Sequence, residues 1–310
     1  MKIQSISVVV PTKACVNNCK FCVSKMHDNP YCDKFDEIQY RKRIKYADRN
    51  KVNTLILTGT GEALQNIRFL KKLGTVLAKE HHPFPNVELQ TSGVLLTKCL
   101  EGIPQSAIRP NDTFPNVELL KELGVNTISL SVSDIFDSKN NWDIIGASAK
   151  LRVDLNKLCE FIKSQGFNLR LSLNMTSVYN NKSPEDILKG CKYLGADQIT
   201  FRELYYSDDN SSQTKWVKEN SSEQNVISKL QFHIAGETRP TGKTTFSSDP
   251  HGSPLYRLPF GAMVYSINGM SVAIDDNCMS KNNNDDLKYV ILRENGKLYC
   301  QWDDEGSLLF

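Results

Sequence analysis

Short β-branched runs alternate with longer amphipathic ones along the first two thirds of this chain. ISVVV (6–10), VNTLILTG (52–59), VELQTSG (87–93), NTISLSVSD (126–134), NLRLSLNMTS (168–177) and DQITFRELY (197–205) read as strands. They are short, rich in β-branched residues, and stopped by Pro11, by glycines or by polar turns. Between them, FDEIQYRKRIKYADR, ALQNIRFLKKLGTVLAKE, NVELLKELG, LRVDLNKLCEFIKSQG and SPEDILKGCKYLG carry helical spacing, and several end in glycine. Ser183, followed by Glu185 and Asp186, marks a helix start. Strands alternating with helices predict a parallel sheet with right-handed crossovers. Six repeats are too few to close an eight-fold barrel. The predicted fold is therefore α/β, a partial (β/α)6 TIM-like barrel over residues 1–205. Chemistry in such folds gathers at the C-terminal ends of the strands.

The pattern changes beyond residue 205. YSDDNSSQTKWVKENSSEQN reads as a polar linker followed by a short helix. From about residue 230, KLQFHIAG, AMVYSINGMSVAI, LKYVILRENGKLYCQW and SLLF read as short strands, with Asn268-Gly269 and Asn295-Gly296 as hairpin turns. The Gly/Pro-rich stretch 235–261 reads as a long loop of the kind that serves as a lid or binding segment. Residues 206–310 are thus predicted to hold a linker, a long loop and a β-rich C-terminal cap over the barrel mouth. Two patterns mislead. FPNVEL occurs at 84–89 and 114–119, but its flanks differ, so it is not a repeat. GETRPTGKTT fails as a phosphate loop because the required first glycine falls on Glu237.

Composition narrows the class. The chain has 310 residues, 40% of them hydrophobic, enough for one large domain or one with an appendage. Lys and Arg number 38 against 35 Asp and Glu, a net charge of +3, which argues against a nucleic-acid partner. The basic run at 40–51 fits a solvated helix face, with Ile38, Ile44 and Ala47 as its buried stripe. The N-terminal apolar run is too short for a membrane span and lacks a secretory layout. A soluble, cytoplasmic protein with reduced thiols is expected, with no membrane partner.

Nine cysteines, odd in number and unevenly spaced, suit a cofactor site better than a disulfide framework. Three of them, Cys15, Cys19 and Cys22, lie in KACVNNCKFCVSK directly after the first strand. His27 and Cys32 nearby keep a zinc knuckle open as one reading, and unrelated buried cysteines are another. Asn17, Asn18 and Lys20 make the stretch a polar loop, and thiolates in a loop suit an iron–sulfur cluster. Three thiolates on a four-iron cube leave one iron open, as the open position does in catalytic zinc sites.

The spacing C-x-x-x-C-x-Φ-C, with Phe21 before the last cysteine, resembles the radical S-adenosylmethionine (radical SAM) family. The likeness covers roughly residues 5 to 205 and lies nearest the branch that rearranges GTP for molybdenum cofactor or modifies peptides. It implies an enzyme with two cofactors, a [4Fe-4S] cluster and S-adenosyl-L-methionine. Reductive cleavage of the latter would give a 5′-deoxyadenosyl radical, which abstracts hydrogen from a peptide or small-metabolite substrate. Cys15, Cys19 and Cys22 would be the catalytic, metal-binding ligands, and the Phe21 backbone would meet the adenine. Thr58-Gly59-Thr60-Gly61-Glu62 resembles the family's T-G-G-E-P, with Thr60 in place of a glycine and Ala63 in place of the proline. Gly59 and Gly61 would let the backbone approach the ligand. Glu62 would accept from the methionine ammonium.

Further strand ends match in turn. Thr91 and Ser92 are similar to the family's third-strand T-T-N-G, and Ser131 to its V-S-L-D. Ser172 and Asn174 match its fifth-strand segment, and Arg202 and Glu203 its R-F-I-E. Each taken singly also reads as a solvated rim residue. A reducing electron donor such as flavodoxin or ferredoxin is the implied partner. Cys278 and Cys300 are the only cysteines after residue 191, too few for a second cluster. Cys99, Cys159 and Cys191 fall in helical patterns and are expected to be buried. The same chemistry on a nucleotide or nucleic-acid base is an alternative. A zinc-binding regulatory protein is the alternative from a different class.

Overall fold

A computed structural model describes residues 3–26, 31–32, 34–97, 117–236, 251–258, 262–275, 287–302 and 304–310. The predicted strands form as β1 (Ile3–Val10), β2 (Thr54–Gly59), β3 (Asn86–Thr91), β4 (Thr127–Val132), β5 (Asn168–Asn174) and β6 (Gln198–Arg202). Each pairs in parallel with the next. The helices are α1 (Glu37–Arg49), α2 (Ile67–Lys79), α3 (Val117–Glu122), α4 (Ser138–Ile145), α5 (Leu155–Ser164), α6 (Pro184–Tyr193), α7 (Ser212–Asn220) and α8 (Gln224–Ala235). Side-chain caps start six of them. Asp36, Asn66, Asp137, Asp154, Ser183 and Ser211 each accept from a first-turn amide, worth about 1 kcal/mol apiece. No described helix is long and apolar enough to cross a membrane.

The register sorts the strand residues onto two faces. Ile6, Val8, Leu55, Leu57, Leu89, Ile128, Leu130, Leu171 and Phe201 are buried in one cluster that includes Leu70, Leu73, Leu158, Ile162 and Ile187 of the helices. The opposite face carries Glu88, Gln90, Ser129, Ser131, Arg170, Ser172, Asn174, Thr200 and Arg202, in successive cross-strand rows such as Gln90–Ser129–Arg170 and Ser131–Ser172–Thr200. An apolar layer outside and a polar wall inside is the alternation of a sheet curved around a wet interior. Low in that interior Arg170 pairs with Glu88, itself buried, and its Nε donates to Gln198 Oε1 at 2.8 Å.

The β-rich C-terminal part extends the same sheet at both edges. The strands β7 (Ser253–Arg257), β8 (Met263–Ile267) and β9 (Met270–Asp275) join through β9, which runs parallel to β6. At the other edge β10 (Leu287–Leu292) runs parallel to β1 and turns back as β11 (Leu298–Tyr299). The result is an 11-stranded sheet in the order β11-β10-β1-β2-β3-β4-β5-β6-β9-β8-β7. The Asn268-Gly269 turn forms with φ of 52° and 74°, the left-handed pair that a two-residue hairpin requires.

Two local expectations are corrected. KLQFHIAG is the C-terminal half of α8, not a strand: Val226, Ile227, Leu230 and Ile234 are buried at helical spacing, and Gly236 closes the helix at φ 70°. On α1 the buried stripe is Tyr40, Ile44 and Ala47, while Ile38 is 67% exposed. Ile38 lies two residues, and so more than half a turn, from Tyr40. Most of the long loop, His27, Cys99 and Cys278 lie outside the described residues.

Candidate functional site

The three-cysteine loop leaves β1 at its C-terminal end and is stitched to three neighbours. The Val16 amide donates to Gln65 Oε1 at 2.7 Å, and Gln65 Nε2 returns a bond to the Ala14 carbonyl at 3.0 Å. Asn66 Nδ2 donates to the Pro11 carbonyl at 2.8 Å. Asn17, buried, donates from Nδ2 to Ser92 Oγ at 2.8 Å. From the far side, the Asn18 and Lys20 amides donate to the carbonyls of Gly146 and Ile144 at the end of α4. Gly146 has φ 67°, and a Cβ there would lie 2.4 Å from the Asn18 carbonyl oxygen, so only glycine lets α4 end against the loop. Gln65 and Asn66 were not found from the sequence. They follow Glu62 in a short 3₁₀ turn, where a polar residue reads as solvated.

The thiols are held close. Cys15, Cys19 and Cys22 are half-buried and free of disulfides. Burial pushes the Cys19 thiol pKa well above the ordinary range, and the charges of Cys22, Cys15 and Glu62 push it further. Cys15 is raised too, mainly by burial. Such thiols become thiolates when a bound cation compensates the charge. Thiolates are the protein ligands of iron–sulfur clusters, and three free thiols on one loop fit a four-iron cube with one iron left open.

Across from the thiols runs the turn after β2. A Cβ on Gly61 would lie 2.3 Å from Thr12 Oγ1 and 3.3 Å from Cys15 Cβ, so the turn and the cysteine loop touch. Glu62, 4% exposed, accepts from Thr91 Oγ1 (2.7 Å), Ser92 Oγ (2.7 Å), the Ser92 amide (3.0 Å) and, more weakly, the Leu64 amide (3.4 Å). The structure thus brings Glu62, Thr91 and Ser92 into one network that reaches the cysteine loop through Asn17. Thr60 donates to Glu294 Oε1 at 3.0 Å, and the Cys32 amide to Glu294 Oε2 at 3.2 Å. Glu294, in the β10–β11 turn, went unrecognised because its partners are remote in sequence.

The remaining expected residues continue around the rim. Asn174 Nδ2 donates to Ser131 Oγ at 3.0 Å and Ser133 Oγ at 3.2 Å. Ser172 is buried on the same wall, in register with Ser131 and Thr200. Arg202 ends β6 in register with Asn174. Its Nε is buried and finds no hydrogen-bond partner among the described residues. Glu203 follows, half-buried. Phe21 lies 6.3 Å, between ring centroids, from Trp216 of α7.

The comparisons bear on this geometry. No curated protein sequence matches the chain. Among solved structures, native anSMEcpe with bound AdoMet aligns at a TM-score of 0.51 with 13% identity, over 99% of this chain and 77% of that one. The same enzyme with AdoMet and Kp18Cys peptide gives 0.53 and 12%, over 99% and 76%. Streptococcus suis SuiB bound to precursor peptide SuiA gives 0.49 and 15%; it is matched over 96% of this chain but only 59% of its own length. The two likenesses to anSMEcpe establish the fold. The model of the Radical SAM superfamily matches residues 9–200, well over half the chain. The chain belongs to the radical SAM superfamily and is an enzyme of that family, whose cofactors are a [4Fe-4S] cluster and S-adenosylmethionine.

Proposed function

We propose that this enzyme cleaves S-adenosylmethionine reductively and abstracts hydrogen from a peptide or small polar metabolite held against the inner wall of the open barrel. The observation that carries this reading is the joint construction of the cysteine loop and the β2 turn. Gln65 and Asn66 tie the two together, Asn17 and Ser92 link them to β3, and Gly61 lets them touch. When bound, the two cofactors supply a 5′-deoxyadenosyl radical that takes a hydrogen atom from the substrate.

The residues of this chain bind and position. Cys15, Cys19 and Cys22 would hold the cluster, and the Phe21 backbone would face the adenine. Gly59 and Gly61, packed against Val10 and Thr12, would bring the backbone of the β2 turn up to the methionine end of the ligand. Glu62 would accept from its ammonium, with the Ser92 hydroxyl turning away to free a lone pair. Ser131, Ser172 and Asn174 would line the ribose or carboxylate. Arg202 and Glu203 would complete the wall, where Arg202 Nε, without a partner among the described residues, would meet an acceptor. The polar wall favours a substrate with many hydrogen-bonding groups, and anSMEcpe accommodates a peptide on the same fold. An electron donor of the flavodoxin or ferredoxin class and a reducing, cytoplasmic setting complete the reading.

The test is 5′-deoxyadenosine formation by the anaerobically reconstituted, chemically reduced protein, read by chromatography. Wild type should form it. Cys19→Ala should lose both the visible cluster absorption and the product to below detection. Turnover surviving in that variant would refute the ligand assignment. Deuterium passing from a labelled peptide into 5′-deoxyadenosine would identify the substrate class.

A further inference from the structure

A second set of potential ligands lies away from the rim. Glu185 stands in the first turn of α6, His233 in the last turn of α8, and His251 just before β7. Their ligand atoms all lie within 4.8 Å of one another, and they are the one such set among the described residues. Three separate segments therefore deliver two imidazoles and a carboxylate to one point.

The backbone builds this convergence. The His251 amide donates to the His233 carbonyl at 3.1 Å, and the Gly252 amide to the Ile234 carbonyl at 3.0 Å. A Cβ at Gly252 would lie 2.7 Å from the Ile234 carbonyl oxygen, so a glycine is what lets the two segments approach. The imidazoles stack with centroids 4.2 Å apart and planes 25° from parallel. Glu185 Oε1 lies 3.2 Å from His233 Nδ1, and the His233 side chain is only 12% exposed. An ion pair between Glu185 and His233 would need no second imidazole. A metal ion would.

Two histidines and a glutamate are an established zinc donor set with a further position open to water, and imidazole nitrogen suits zinc. We propose that Glu185, His233 and His251 bind a divalent d-block cation, for which zinc is the probe, and that the ion fastens β7 to α6 and α8. The strand has use for a fastening. It is the last in the sheet, and all five of its residues are exposed. The site is separate from the cysteine loop in residues and in donor chemistry.

The test uses the full chain, reconstituted anaerobically with iron and sulfide and then supplied with zinc. Zinc and iron per chain are measured by plasma emission, and the thermal midpoint is followed. Wild type should take up one zinc beyond its iron, with the midpoint rising by several degrees because the ion binds only the folded state. His233→Ala and His251→Ala should lose the zinc and keep the iron, whereas Cys19→Ala should lose the iron and keep the zinc. Glu185→Gln preserves shape and a hydrogen bond to His233. It should keep the zinc-free midpoint and bind zinc at least about 10-fold more weakly, the low end of what an outer-shell change alone costs. Wild type without zinc would overturn the proposal. So would zinc retained by the histidine variants, zinc lost with the cysteines, or unchanged affinity in Glu185→Gln.

Discussion

The rim at β2–β3 and the rim at β6 are made of similar residues in opposite conditions. At β2–β3, a buried carboxylate has its acceptor positions filled by Thr91, Ser92 and two amides. At β6, a guanidinium nitrogen is buried with no partner among the described residues. The Glu62 network holds the first rim together and positions the cysteine loop, although Thr12 Oγ1 and Asn17 Oδ1 of that loop are also buried without a partner among the described residues. The second carries an unmet hydrogen bond, costing about 1–3 kcal/mol in the free protein. That cost is recovered only when something accepts from it. A satisfied network supports structure as well as binding, while an orphaned donor on a polar wall points to a ligand.

Substitution separates the two conditions. Glu62→Ala should have the larger effect, because it strands the Thr91 and Ser92 donors and, on the proposed function, would also remove the acceptor for the ligand's ammonium. A stability loss of about 3 kcal/mol is expected in denaturant melts. S-adenosylmethionine affinity should also fall about 10- to 100-fold by calorimetry, the worth of one charge-assisted bond. Loss of affinity with unchanged stability would mean that Glu62 does not hold the rim. Arg202→Ala should do the reverse, leaving stability no lower than wild type and raising it by up to about 1–3 kcal/mol, as it deletes an unmet donor. Its 5′-deoxyadenosine yield should fall about 10-fold. A clear drop in stability would show Arg202 to be structural and remove the contrast.

The sequence exposed these two rims unequally. Cys15, Cys19 and Cys22 stand in one short spacing next to a strand end, and Glu62 in a short turn that resembles the family's T-G-G-E-P, so these candidates are visible within single segments of the sequence. The six core strands were legible for the same reason: short β-branched runs between helices admit few other folds. What escaped notice depends on contacts between remote segments. Gln65 reaches back to Ala14 and Val16, Glu294 meets Thr60 from the far edge of the sheet, and Gly146 closes on Asn18. The end of α8 was misread because QFHI alternates over too short a span to separate strand from helix. The placement of β9 and β10 beside β6 and β1 was illegible, since edge pairing is settled by which edge is left open rather than by the strand's own residues.

Asn174 lies between the two rims and offers the finest test of their difference. It donates to Ser131 and Ser133 on β4's side, and it stands in register with Arg202 on the other. If the wall from β4 to β5 belongs to the self-supporting half, Asn174→Ala should cost about 1 kcal/mol. That is the net value of a typical hydrogen bond, because the two serine hydroxyls left behind can turn to other partners. Combined with Ser131→Ala, the cost should be less than additive by several tenths of a kcal/mol, since the two residues share one bond. If Asn174 instead belongs with Arg202, the single variant should melt like wild type while its yield of 5′-deoxyadenosine falls. The coupling to Ser131 would then vanish. A denaturant double-mutant cycle run beside the turnover assay decides on which side of Asn174 the self-supporting half of the rim ends.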